Sequence, residues 1–384
     1  MEKALLLLVG GRASIPNILT VINQQPNFVV TVSSWESYPD LSQLEHAIKK
    51  ILPTCSVEHM DSVDAFEIQK IMDRCEEALK KQRDANWTFN VTAATTIMSI
   101  AAYEVAKKHQ ITCWYINTSK TRIITLIGDP GDESIFKIDV LQYVTAYNRE
   151  LIQGNLEEQR EQSEREWLPF ALKIGKNPRY AELLKLVMQQ VGKDKRGRPR
   201  KSTMKDYVLK NHPHETYQVL EEAQHVGLLD DLSTDKALTI CFRLSYLQDK
   251  FLNGAWLEAY ICDEARKLGI FDDCQWNQRI VDGNNKNELD VAMTYKAQLL
   301  IAECKTGEEA FSSETLYQLN AVANMLGNRF VGKILITSLP REGASKDFEA
   351  KRVGLSIVLA TAEDLPNIGE ILRREAITPT YPRI

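Results

Sequence analysis

The first third of the chain alternates between short apolar runs and stretches of helical period. Runs at 4–9, 28–32, 56–59, 87–91, 112–116 and 122–127 read as strands. Between them, apolar residues recur every three or four positions at 15–24, 41–51, 64–82 and 95–108, and these read as helices. Such alternation predicts a doubly wound parallel sheet, which binds ligands beyond the C-terminal ends of its strands. Two strand ends carry binding-type residues. The first is Gly10-Gly11-Arg12-Ala13-Ser14, with glycines that allow close backbone approach. The second is Thr92-Ala93-Ala94-Thr95-Thr96, rich in hydroxyls and opening a helix. Both offer free N–H groups to anionic phosphates. Each is also readable alone as a tight turn or a helix cap; their occurrence in one half favours a ligand site. Gly-x-Gly-x-x-Gly and the Walker loop are both absent, which disfavours an ordinary NAD enzyme or P-loop protein.

The last third has a different order: helix, strand, strand, helix, strand. A helical pattern at 253–261 carries Glu258 in an apolar setting. Glu288-Leu289-Asp290-Val291 follows a polar turn. The run Gln298-Leu299-Leu300-Ile301-Ala302 then delivers Glu303-Cys304-Lys305 at its C-terminal end. A helix at 314–321 and a strand at 333–337 complete the series. Residues two apart in a strand share a face, so Glu303 and Lys305 project together, and a hairpin would turn Asp290 toward them. Two carboxylates beside an ammonium suit a hard divalent cation and an oriented water, the parts phosphodiester hydrolysis needs. A solvated hairpin with a surface ion pair is the plain alternative, and Glu288 reads as a surface charge or a neighbour of Asp290.

Between these halves, 151–235 begins with a charged helix near 155–162 and continues with helical segments at 181–191 and 215–223. Lys193, Lys195, Arg196, Arg198, Arg200, Lys201 and Lys205 crowd one stretch, either a phosphate-backbone contact or a solvated linker. Helix, basic loop and helix predict a small, mainly helical, winged-helix-like connector. The expected division is 1–150, 151–235 and 236–384.

Composition changes little in this picture. The 384 residues carry a net charge of −5, so nucleic-acid contact must be local. No run is apolar for long enough to span a bilayer, and the leucine-rich start reads as a first strand and not a leader. Seven scattered cysteines, with no Cys-x-x-Cys pair, predict reduced thiols in a cytoplasmic setting and no structural zinc.

The Gly-x-Trp-Leu-Glu opening, the Glu-Leu-Asp-Val turn and the Glu-Cys-Lys end, over about 252–340, resemble the PD-(D/E)xK nuclease superfamily, of restriction-endonuclease-like fold. That resemblance implies Mg2+ or Mn2+ held by Asp290, Glu303 and the Cys304 carbonyl. It makes Lys305 the residue that positions water, Glu258 an outer carboxylate and Gln318 a contributor from the following helix. The Gly-Gly-Arg turn and the Asn-x-Thr-x-x-Thr-x-x-Met turn ahead of such a domain resemble the CARF-domain CRISPR ancillary nucleases, in which a CRISPR-associated Rossmann fold senses a ligand. This implies a homodimer binding a cyclic oligoadenylate, usually cyclic tetra-adenylate, and metal-dependent cleavage of DNA, RNA or both in type III CRISPR antiviral defence. The family's second loop reads Thr-Gly-Gly-Thr-Lys-x-Met, whereas this chain has Thr92-Ala93-Ala94-Thr95-Thr96-Ile97-Met98. Loss of that lysine weakens binding, changes ring size, or is made good by Arg12. The competing classes are a constitutive repair or restriction nuclease and a non-catalytic DNA-binding regulator. A HEPN ribonuclease is disfavoured, because no histidine follows an arginine by four to six residues.

Overall fold

The computed structural model describes residues 2–10, 15–118, 122–129, 137–147, 149–152, 163–191, 204–209, 213–234, 239–282, 285–327 and 330–381. Gly11, Arg12, Ala13 and Ser14, the charged stretch 155–162 and the basic run from Lys193 to Lys201 lie outside the described residues.

The chain opens β1 (Lys3–Val9), α1 (Ile15–Gln24), β2 (Phe28–Ser33), α2 (Tyr38–Ile51), β3 (Ser56–His59), α3 (Ile68–Lys81), β4 (Asn86–Asn90), α4 (Thr96–Lys108), β5 (Thr112–Asn117) and β6 (Arg122–Ile127). The strands form one sheet in the order β3-β2-β1-β4-β5-β6. Strands β1 to β5 are parallel, and β6 closes the edge antiparallel to β5. Residues 4–9 of β1 are all buried, because helices cover both faces of a doubly wound sheet. That double burial explains a continuous apolar run where alternation would mark a one-sided strand.

Helix α5 (Val140–Ala146) starts with a capping box. The Asp139 carboxylate accepts from Gln142 N–H at 2.6 Å, and the Gln142 side chain accepts from the Asp139 amide. Its residues Val140, Tyr143 and Val144 belong to one apolar core that joins Leu5, Ile18 and Leu44 to Ile280, Leu289 and Leu299. The Val140 amide also donates to Asp273. The first and last thirds of the chain therefore pack directly against α5.

Next come β7 (Glu150–Ile152), α6 (Leu168–Gly175), α7 (Pro178–Val191), β8 (Met204–Leu209), α8 (His214–His225), β9 (Asp230–Thr234) and β10 (Ile240–Ser245). Strands β8, β10 and β9 make a small antiparallel sheet beside the helices, in keeping with the winged-helix-like connector. Strand β7 instead pairs with a strand of the last third, and β10 lies beyond residue 235. The divisions expected at 150/151 and 235/236 thus both fall within structural units. Hydropathy registers elements but not which sheet a three-residue edge strand joins.

The last third comprises α9 (Tyr246–Lys250), a π turn (Phe251–Ala255), α10 (Trp256–Lys267), β11 (Asp273–Asp282), β12 (Asn285–Tyr295), β13 (Gln298–Lys305), α11 (Ser313–Met325), β14 (Val331–Thr337), α12 (Lys346–Gly354), β15 (Val358–Ala360) and α13 (Ile368–Ile377). Its sheet runs β15-β14-β13-β12-β11-β7. Helix α10 packs on one face, in a core continuous with the connector, and α11 packs on the other. Among the described residues, no helix is long and apolar enough to cross a membrane.

Candidate active site

The site forms where β12 and β13 part. They pair antiparallel from Tyr295↔Gln298 to Val291↔Ala302. Their two-residue turn, Lys296–Ala297, puts both residues in the left-handed region, φ 49° and 65°. That is the twist a tight hairpin requires, here achieved without glycine or asparagine. The Lys296 amide donates to Asp272 at 2.7 Å, which helps hold it. Beyond Val291↔Ala302 the register carries Asp290 across from Glu303, on one face. The Cys304 amide turns from the ladder to the Asp290 carboxylate at 2.8 Å.

Lys305 bridges the two acids. Its Nζ lies 2.6 Å from Glu303 Oε1 and 3.3 Å from Asp290 Oδ2. Burial pushes the Asp290 and Glu303 carboxyls up, Asp290 repels the charge on Glu303, and Lys305 opposes both effects. Lys305 is itself raised by its two acidic partners, which outweigh its burial. Glu258, on the first turn of α10, is pushed well up by burial and then by repulsion from Asp290 and Glu288. Glu288 is exposed and faces Arg279 at 3.9 Å, yet its charge reaches all three acids.

The fold brings Asp290, Glu303 and Lys305 into contact and Glu258 within electrostatic reach of Asp290 and Lys305. Gln318 stands on the exposed side of α11 and donates to Glu314 at 3.3 Å along its own helix. The Cys304 thiol is buried, and its amide is the group that bonds the Asp290 carboxylate. Among the described residues, no group of three or more His, Cys, Asp or Glu side chains is arranged to hold a metal ion. The π turn ahead of α10 was not legible in the sequence. It is tied to the site by the Thr306 hydroxyl, which donates to the Asn253 carbonyl at 2.9 Å.

Of the second predicted site, Gly10 and Thr92–Thr96 are described, and they lie together. Strand order reverses between β1 and β4, and the Gly10 amide there donates to the Ala93 carbonyl at 2.7 Å. A Cβ on Gly10 would lie 2.6 Å from Ala94 Cα, so only glycine permits this approach. Thr95 caps α4 by accepting from Met98 N–H, and its hydroxyl donates to the Ala65 carbonyl. Thr92 Oγ1 donates to Asn90 and accepts from the Ile116 amide. These hydroxyls are committed to the turn, whereas Thr96 is exposed. Buried Asn90 organises the loop by donating to the Pro16 carbonyl, Asn17 and Thr20. One asparagine in a strand carries no spacing signal, so its importance escaped the sequence reading.

An N-terminal Rossmann-like sensor fold joined to a restriction-endonuclease-like sheet with an Asp/Glu/Lys cluster defines a class, the ligand-sensing nucleases. Residues 6–143 match the Card1 CARF domain family, and residues 246–378 match the Card1-like endonuclease domain family. The chain belongs to the CARF-domain CRISPR ancillary nucleases of this Card1-like kind. Among solved structures it is similar to Can2 from Sulfobacillus thermosulfidooxidans in complex with cyclic tetra-adenylate, at 19% identity over 97% of both chains, TM-score 0.67. It is also similar to protein VC1899 from Vibrio cholerae, at 17% identity over 97% of this chain and 98% of that one, TM-score 0.72. A type III CRISPR defence DNA nuclease activated by cyclic oligoadenylate matches at 12% identity over 88% of this chain and 45% of that one, TM-score 0.52. At these identities the likeness is one of fold. No curated protein sequence matches the chain.

Proposed function

We propose that this protein is a metal-dependent nuclease switched on by a cyclic oligoadenylate. The observation that carries this reading is the Asp290–Lys305–Glu303 cluster in an endonuclease domain packed, through α5, against a CARF domain. Can2 was solved with cyclic tetra-adenylate, which favours that ring here. The ligand would sit over Gly10–Ser14 and Thr92–Thr96, shared by two copies around a two-fold axis, since an isologous interface presents the same loops twice.

The donor set fits Mg2+ or Mn2+. Asp290 and Glu303 are hard ligands, their charges are drawn together by a cation, and Mg2+ commonly takes one or two carboxylates with water and phosphate oxygens. The Cys304 carbonyl would be the main-chain ligand. When bound, the cation supplies charge neutralisation on the phosphate and a more acidic water. Lys305, released from Asp290 and Glu303, would then orient the attacking water with its ammonium. Glu258, whose carboxyl is pushed well up by burial and by repulsion from Asp290, would serve as an outer acceptor.

The test is cleavage of labelled DNA and RNA, single- and double-stranded, with Mn2+ and with or without each cyclic oligoadenylate. Cleavage is expected only with metal and the right ring, and not in Glu303→Ala. Equal rates with and without every ring would replace this reading with a constitutive nuclease.

A further inference from the structure

A cavity of about 270 Å³ opens one residue past Lys305. Its floor is apolar and buried: Leu184 and Met188 from α7, with Leu252 and Trp256 from the helical stretch that carries Glu258. Its rim is polar and comes from Gln189, Asn253, Thr306 and Ser338. Ser338 is only 6% exposed, and its hydroxyl has no partner among the described residues. The exposed Gln189 amide likewise has none.

Three features decide what fits. The lining holds one lysine, Lys185, and one glutamate, Glu309, so the cavity has no net charge to attract a phosphate. Apolar walls with amides and hydroxyls at the edge match a planar base with a polar rim. The volume lies just below the range usual for drug-sized ligands, which suits one base and not a base pair. Position supports the same choice. Thr306 follows Lys305 directly, one Cα step of about 3.8 Å, so a chain with a phosphate at the acids brings a neighbouring nucleotide to this opening.

We infer that this cavity takes the unstacked base of a nucleotide next to the scissile phosphate, and that Gln189 and Ser338 read its edge. The inference rests on the nuclease reading and adds a specificity pocket to it. Because one wall is α7, the connector contributes to substrate recognition, and the pocket is complete only while the connector abuts the endonuclease sheet.

The test is binding, which does not need turnover. Full-length Glu303→Gln, with Mg2+ and the cyclic oligoadenylates, is titrated with fluorescent single-stranded oligonucleotides carrying one abasic site at each position in turn. An abasic site at one position is expected to weaken binding roughly 10-fold, in the range a lost stacked base produces. The four bases at that position should differ in affinity, and Gln189→Ala in the same background should flatten that difference. Equal affinity for every abasic oligonucleotide, or undiminished base discrimination in Gln189→Ala, overturns the inference. Base-dependent binding by Glu303→Gln together with no cleavage by the unmutated protein would support the pocket and count against the nuclease reading alone.

Discussion

Replacing Lys305 with methionine tests the physical account of the site. Methionine keeps most of the apolar stem and removes the charge. At an effective dielectric of about 20, the contact at 2.6 Å represents about 6 kcal/mol of gross attraction and that at 3.3 Å about 5 kcal/mol. Most of this is cancelled by desolvation of three charges, so the net loss is expected near 2–3 kcal/mol. For a domain of this size that lowers the melting temperature by roughly 4–12 °C. The pH dependence is the sharper reading. Both carboxyls are raised above their ordinary values, and without Lys305 they rise further. A carboxyl raised on folding contributes stability that is present below its unfolded pKa and lost as pH rises through the folded one. Lys305→Met should therefore lose most at pH 8 and least near pH 5, measured by thermal melting in EDTA. Mg2+ or Mn2+ should close the gap at pH 8 by replacing the ammonium between the acids. A deficit independent of pH, or metal that stabilises both proteins equally, would refute the electrostatic account.

Gly10→Val should weaken activator binding at least 10-fold by calorimetry, because its Cβ meets the Ala94 backbone, while the endonuclease domain keeps its metal response. Neutralising Lys195, Arg196, Arg198 and Arg200 together should weaken oligonucleotide binding and flatten its salt dependence without changing activator affinity. Sedimentation at micromolar concentration with activator should show a dimer; a strict monomer would exclude a shared ring.

The parallel sheet was legible because β1 is buried on both faces and stays apolar over residues 4–9, and because strand and helix periods alternate along the first third. The Asp290, Glu303 and Lys305 site was legible because β-strand periodicity and a hairpin suffice to put those three on one face. Other features had no local signal. Strand β11 alternates weakly, and β7 is only three residues long, so only pairing reveals them. The acids' raised pKa values come from burial by distant segments, and the exposed placement of Gln318 comes from the rotation of α11. Neither quantity resides in a stretch of chain. The sequence alone determined two domain types and the residue kinds available for chemistry, because periodicity and spacing are local. Tertiary structure decided that α5 joins the helices of the sensor domain to the endonuclease sheet, that α7 walls a cavity beside Lys305, and that Lys305 sits between its acids. Those depend on contacts between residues more than a hundred positions apart, or on the electrostatics of a buried cluster, and neither leaves a periodic trace in the chain.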